Sequence, residues 1–197
     1  MASDLANALQ LFVTLISRRL ELRVATTEDS IRYTFFAALL ASGLEPEQVV
    51  IEYPHSAIKG ARVDTMILDE HFEPSASIEF KYDRMNPGGT NQPLPMKAGA
   101  AFADLSRLAK LPEKQIRLFV HVMDRELARY LASPRNGLHD FFSLLEGDDL
   151  VIGATYFNGR SQTFMNRKGN WSDDISVRCL SSLALPNDHF MRIYKIA

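Results

Sequence analysis

The sequence predicts an α/β fold with a mixed central sheet, and three observations carry that expectation. Strand-like and helical stretches follow one another in the order strand, hairpin, helix, strand, helix, which is an α/β order. Each stretch has its own periodicity, with apolar positions at helical spacing in some and strict alternation in others. A chain of 197 residues, 46% apolar and 23% charged, is large enough to bury a real core and small for two domains.

In order, a helix is predicted from Asp4 to Arg23, capped by Ser3 or Asp4, with Leu5, Leu9, Phe12, Val13, Ile16 and Leu20 forming one apolar stripe. That stripe suits core packing, and it offers a candidate homodimer interface if the monomer leaves it uncovered. Thr26 or Thr27 can cap a second helix from Glu28 to Ser42, ended by Gly43. Ile31, Phe35 and Leu39 should face the core, and Glu28 lies on their side, an acid that the helix dipole would also favour there. Val49 to Pro54 reads as a strand ended by proline, and His55 follows in a loop, where a lone histidine is more often a surface residue than a ligand. Arg62 to Leu68 and Ala76 to Arg84 then read as a hairpin around a turn at Asp69 to Pro74.

Asn86 to Pro93 is a loop. Its Pro87-Gly88-Gly89 lacks the lysine and hydroxyl of a phosphate cradle. A third helix spans about Met96 to Leu111, Ile116 to Met123 is a buried strand, and Arg125 to Ser133 a short helix. Beyond Pro134-Arg135-Asn136-Gly137 the texture turns β-rich. A helix at His139 to Leu145 is followed by strands at Val151 to Phe157, Gln162 to Asn166, Ile175 to Leu180 and Met191 to Ile196. Residues 138–197 are therefore expected to extend the sheet or form a small β subdomain of one 1–197 domain.

Composition narrows the function classes. No apolar run reaches the roughly 18 residues of a membrane span, and no basic-then-apolar leader opens the chain, so a cytoplasmic location is expected. A single cysteine, Cys179, rules out an intramolecular disulfide and any multi-cysteine zinc site. The net charge of −2 gives no global sign of nucleic-acid binding and leaves a local basic cleft open.

The chemistry concentrates in Ala76-Ser77-Ile78-Glu79-Phe80-Lys81-Tyr82-Asp83-Arg84. Ala76, Ile78, Phe80 and Tyr82 share one face; Ser77, Glu79, Lys81 and Asp83 share the other. In the preceding strand Asp64 stands alone among mostly apolar neighbours. Two adjacent strands can thus gather two carboxylates and an ammonium within a few ångströms, the makings of a divalent-metal site with a cationic helper. A cross-face ion pair between Glu79 and Lys81 is the plain alternative, of small worth on a surface.

A helix bearing Glu28, a strand, a strand bearing Asp64, then Glu79-Phe80-Lys81, a helix and a further strand resembles the PD-(D/E)xK nuclease superfamily, the restriction-endonuclease-like fold, over about residues 26–124. Asp64 matches the first acid, Glu79 the second, Lys81 the lysine and Glu28 the acid many members carry on the first core helix. Val63 stands where the proline of the motif would be. The resemblance implies a Mg²⁺-dependent nuclease acting on DNA, with Mn²⁺ as a substitute. Asp64, Glu79 and the Phe80 carbonyl would be metal ligands, and Lys81 and Glu28 catalytic partners. Mg²⁺ takes oxygen ligands, which suits the two acids. Arg62, Lys59, Arg84 and Lys97 lie near this site along the chain and are candidate phosphate contacts, with surface solubility an equal account of each. The rival expectation is a catalytically inactive nuclease-fold protein that binds nucleic acid or a protein partner. A third reading, with all four residues as scattered surface charges, is decided by geometry.

Overall fold

The structure, a computed structural model, describes residues 2–85 and 89–197. Its helices are α1 (Ala2–Glu21), α2 (Glu28–Ala41), α3 (Leu94–Ala109), α4 (Arg125–Leu131), α5 (His139–Phe142) and α6 (Gln162–Met165). Its strands are β1 (Val49–Pro54), β2 (Arg62–Leu68), β3 (Pro74–Asp83), β4 (Ile116–Asp124), β5 (Asp149–Ile152), β6 (Ile175–Leu185) and β7 (His189–Ile196). The strands join in one seven-stranded mixed sheet of order β1-β2-β3-β4-β7-β6-β5. β3 and β4 run parallel, with α3 as the crossover between them, and the other neighbouring pairs are antiparallel. Among the described residues no helix is long and apolar enough to cross a membrane.

Local chemistry explains the boundaries. Thr27 Oγ1 accepts from Ser30 N at 3.1 Å while Ser30 Oγ accepts from Thr27 N at 3.2 Å, a reciprocal cap that starts α2 one residue before Glu28. Past the end of α2, Gly43 sits at φ +100°, where a side chain would be strained. The β2–β3 turn is held by Asp69, whose carboxylate accepts from His71 N and Glu73 N at 2.9 Å each. Asn187 and Asp188 both take positive φ, 56° and 58°, and close the β6–β7 hairpin with the twist its strands require.

Two cores sandwich the sheet. On one face α1 and α2 pack on β3 and β4, and Phe12, Phe35 and Phe80 meet with ring centroids 5.3–6.1 Å apart. On the other face α3 lies under a cap made by the C-terminal third. Phe102 is fully buried there among Phe141, Phe142, Tyr156, Phe157, Phe164 and Trp171, at centroid distances of 5.1–6.0 Å. Cys179 is buried in the same core.

Several expectations change. Leu5, Phe12, Ile16 and Leu20 of the α1 stripe are buried in the monomer and Leu9 and Val13 partly so, and the stripe packs largely on the core. α1 begins at Ala2, which places Asp4 in its first turn rather than before it. Gln162 to Asn166 is not a strand: Ser161 Oγ accepts from Phe164 N at 3.3 Å and starts α6, which buries Phe164 against α3. The strand foreseen at Val151 to Phe157 stops at Ile152, because Tyr156 N turns back to Gly153 O at 3.1 Å. Trp171 is buried, its indole donating to Lys168 O at 3.0 Å. Asn86, Pro87 and Gly88, the start of the expected loop, lie outside the described residues. The C-terminal third continues the main sheet past β4 rather than forming a separate β unit.

Candidate active site

β2 and β3 pair from Leu68–Pro74 to Thr65–Ile78, and the ladder stops there. β2 turns away towards β1, while β3 runs on for five residues against β4 alone. The amides on the abandoned edge of β3 still need acceptors, since an unpaired buried amide costs free energy. Carboxylates supply them. Asp64 Oδ2 accepts from Phe80 N at 2.8 Å and Glu28 Oε2 from Tyr82 N at 3.0 Å. An acid from β2 and one from the first turn of α2 thereby stand where a strand's carbonyls would be.

The side chains of β3 complete the site. Ser77 Oγ lies 3.5 Å from Met66 Sδ, and Asp64, within 3.7 Å of Arg32 on α2, stands where β2 and β3 part. Glu79 is almost fully buried, and the Asp64 charge is near enough to raise its pKa. Lys81 Nζ lies 3.4 Å from Glu28 Oε2. Glu28, Asp64, Glu79 and Lys81 therefore meet at one place, and the reading of them as scattered surface charges fails.

Three further charged residues enter from the flanking helices. Arg107 on α3 places its guanidinium 2.7 Å from Asp104 Oδ1 and 3.5 Å from Glu79 Oε2. Arg32 on α2 lies 3.3–3.7 Å from Glu28, Asp29, Glu52 and Asp64. Glu52, between residues paired with Thr65 and Val63, is held at φ +54°. Sequence reasoning passed over Arg32, Asp104 and Arg107. The available signals were their helical spacings, Glu28 to Arg32 and Asp104 to Arg107, and an aspartate beside the buried Leu105.

The electrostatics divide the roles. Burial, and then the Asp64 charge, raise the Glu79 pKa well above the usual carboxylate range, against the opposing pull of Arg107. Burial likewise raises Asp104, although Arg107 and Lys81 oppose it. For Lys81, burial alone would lower the pKa; the carboxylates of Glu28, Asp104 and Asp83 outweigh it and raise the value, so the ammonium keeps its proton. These carboxylates favour the charged form of Lys81.

The candidate phosphate contacts separate. Lys59, Arg62 and Arg84 are exposed, Arg62 pairing loosely with Glu52 at 3.4 Å. Lys97 is a correction: it is buried, and its ammonium is used to bind Arg84 O at 2.6 Å. His55 is a second correction. It is buried, accepting from Ala57 N at Nδ1 (3.1 Å) and so donating from Nε2 to Arg107 O (2.9 Å), which ties the β1–β2 loop to the end of α3.

Among the described residues no group of three or more His, Cys, Asp or Glu side chains stands in a metal-holding arrangement. The donor set is nevertheless of the right chemistry. Asp64 and Glu79 offer hard oxygens, and Glu79 Oε1 is buried with no hydrogen-bond partner.

Glu79 also yields a stability prediction. Because its folded-state pKa is raised, the favourable contribution is present below the unfolded-state pKa and is lost as pH rises through the folded value. In EDTA, Glu79→Gln should therefore stabilise the protein at neutral pH by about 1–3 kcal/mol, the scale of an ill-paired buried charge. The gain should vanish towards acid pH. Thermal melts of both proteins across that range check it, and a pH-independent difference would contradict a strained carboxylate.

Comparison of the chain with protein-family models, with curated proteins and with solved structures returns no match in any of the three.

Proposed function

We propose that this chain is a Mg²⁺-dependent nuclease that hydrolyses phosphodiester bonds in DNA. The observation that carries the reading is the convergence of Glu28, Asp64, Glu79 and Lys81 where β2 and β3 part. In this reading Asp64 and Glu79, with the Phe80 carbonyl, hold the ion. Bound Mg²⁺ would supply a water of lowered pKa and offset charge on the phosphoryl oxygens. Lys81, held protonated, stabilises the negative charge that builds on the phosphoryl group, and Glu28 keeps its ammonium in place. Lys59, Arg62 and Arg84, all exposed, are the cations left to meet backbone phosphates.

A second reading is favoured by a specific observation. Arg32 and Arg107 already stand against Asp64 and Glu79, as in a charge cluster that satisfies itself. On that view the chain is a nuclease-fold protein that binds nucleic acid or a protein partner without cutting. Incubation of the purified protein with supercoiled plasmid and with single-stranded DNA, in Mg²⁺, Mn²⁺ or EDTA, separates the two. Metal-dependent nicking or degradation is expected. DNA retention on a gel without cleavage under any metal would favour the silent binder.

A further inference from the structure

Arg107 makes two contacts of unequal quality. To Asp104 Oδ1 the separation is 2.7 Å, a close ion pair between residues one helical turn apart. To Glu79 Oε2 it is 3.5 Å, and the other oxygen of that carboxylate has no hydrogen-bond partner although it is buried. The main chain of Arg107 is fixed, because His55 Nε2 donates to its carbonyl at 2.9 Å. Its side chain is about one-third exposed, against 3% for Glu79, so the guanidinium reaches solvent while the carboxylate does not. A cation on a fixed backbone is thus firmly held by one acid and loosely set against another that lacks a full set of partners.

We propose that Arg107 and a divalent cation are alternative partners of Glu79, and that Arg107, anchored on Asp104, meets the phosphate of the substrate when the ion takes that carboxylate. This rests on the nuclease reading and adds to it a phosphate-binding catalytic residue on α3, with Asp104 as its positioning residue. Like charges explain the exchange. A divalent ion on Glu79 repels the guanidinium, and the weaker of the two contacts is the one that breaks. The freed planar fork presents paired donors suited to a phosphate.

The test is calorimetric titration of the whole protein with Mn²⁺, wild type beside Arg107→Gln and Arg107→Lys, followed by plasmid nicking at saturating Mn²⁺. Arg107→Gln should bind Mn²⁺ on the order of five- to tenfold tighter, since a competing charge is gone, yet nick at roughly a hundredth of the wild-type rate. Arg107→Lys should keep wild-type Mn²⁺ affinity and recover part of the nicking. On wild-type protein, Mn²⁺ should speed modification of Arg107 by phenylglyoxal, read by mass spectrometry, a result that does not depend on any variant folding. Unchanged or weaker Mn²⁺ binding by Arg107→Gln, or phenylglyoxal reactivity indifferent to Mn²⁺, would overturn the role of Arg107. Failure of the wild type to bind Mn²⁺ at all would instead remove the metal site on which the nuclease reading stands.

Discussion

If the site is a metal-dependent nuclease, Asp64→Ala and Lys81→Ala should both lose DNA cleavage, and only the first should weaken Mn²⁺ binding. Removing the Asp64 carboxylate takes a charged oxygen from a hard cation. It also strips Phe80 N of its acceptor, which should cost about 1–3 kcal/mol of stability. Lys81 is different. Its ammonium is held charged by Glu28, Asp104 and Asp83, so Lys81→Ala removes like-charge repulsion towards a metal and leaves Mn²⁺ affinity unchanged or slightly higher. Cleavage should still fall on the order of a hundredfold or more, the scale of a positioned charge acting on a transition state. Calorimetry with Mn²⁺ and plasmid nicking on both variants give the comparison. Wild-type cleavage by Lys81→Ala would reduce the lysine to a partner of Glu28 and defeat the motif at its most distinctive residue.

The largest stability effect is expected in the aromatic core rather than among these charges. Phe102→Ala empties the centre of a six-ring cluster that joins α3 to the C-terminal third. Truncating a fully buried phenylalanine costs about 3–5 kcal/mol, which for a chain of this length lowers the melting midpoint by roughly 10 °C. α3 also carries Asp104 and Arg107, so Mn²⁺ affinity should shift with the loss of packing while the sheet persists. Urea or thermal unfolding followed by circular dichroism measures it. A fall of less than about 2 °C would mean that the C-terminal third does not brace the helix.

Much of this arrangement is legible in the sequence. The alternation around Glu79 and Lys81 places them opposite Phe80, and the isolation of Asp64 in an apolar strand marks it as unusual. β1 and β2 begin and end where proline, arginine and the Asp69 turn suggest. The C-terminal third is harder to read, because α6 owes its helix to a serine cap and a buried phenylalanine rather than to any long period. Lys97 shows a different limit. A lysine after a Gly-Pro loop looks solvated, and nothing local reveals that the Arg84 carbonyl will take its ammonium. Arg32, Asp104 and Arg107 belong to helices whose charged residues look like ordinary surface in one dimension. Only the approach of both helices to the β2–β3 divergence makes them part of the site.

The carboxylates that stand in for a missing strand bear on how descendants of this chain would decay. Asp64 and Glu28 each complete the hydrogen bonding of β3, so selection for folding alone would retain them whether or not the site cuts DNA. Glu79 and Lys81 accept no main-chain amide of that kind. On the nuclease reading, a lineage that abandoned cutting would be free to exchange them, and burial of an ill-paired glutamate would favour the exchange. In related chains, then, persistence of the first two acids is weak testimony of a living enzyme. Joint persistence of Glu79, Lys81 and the Asp104–Arg107 pair would be the stronger witness.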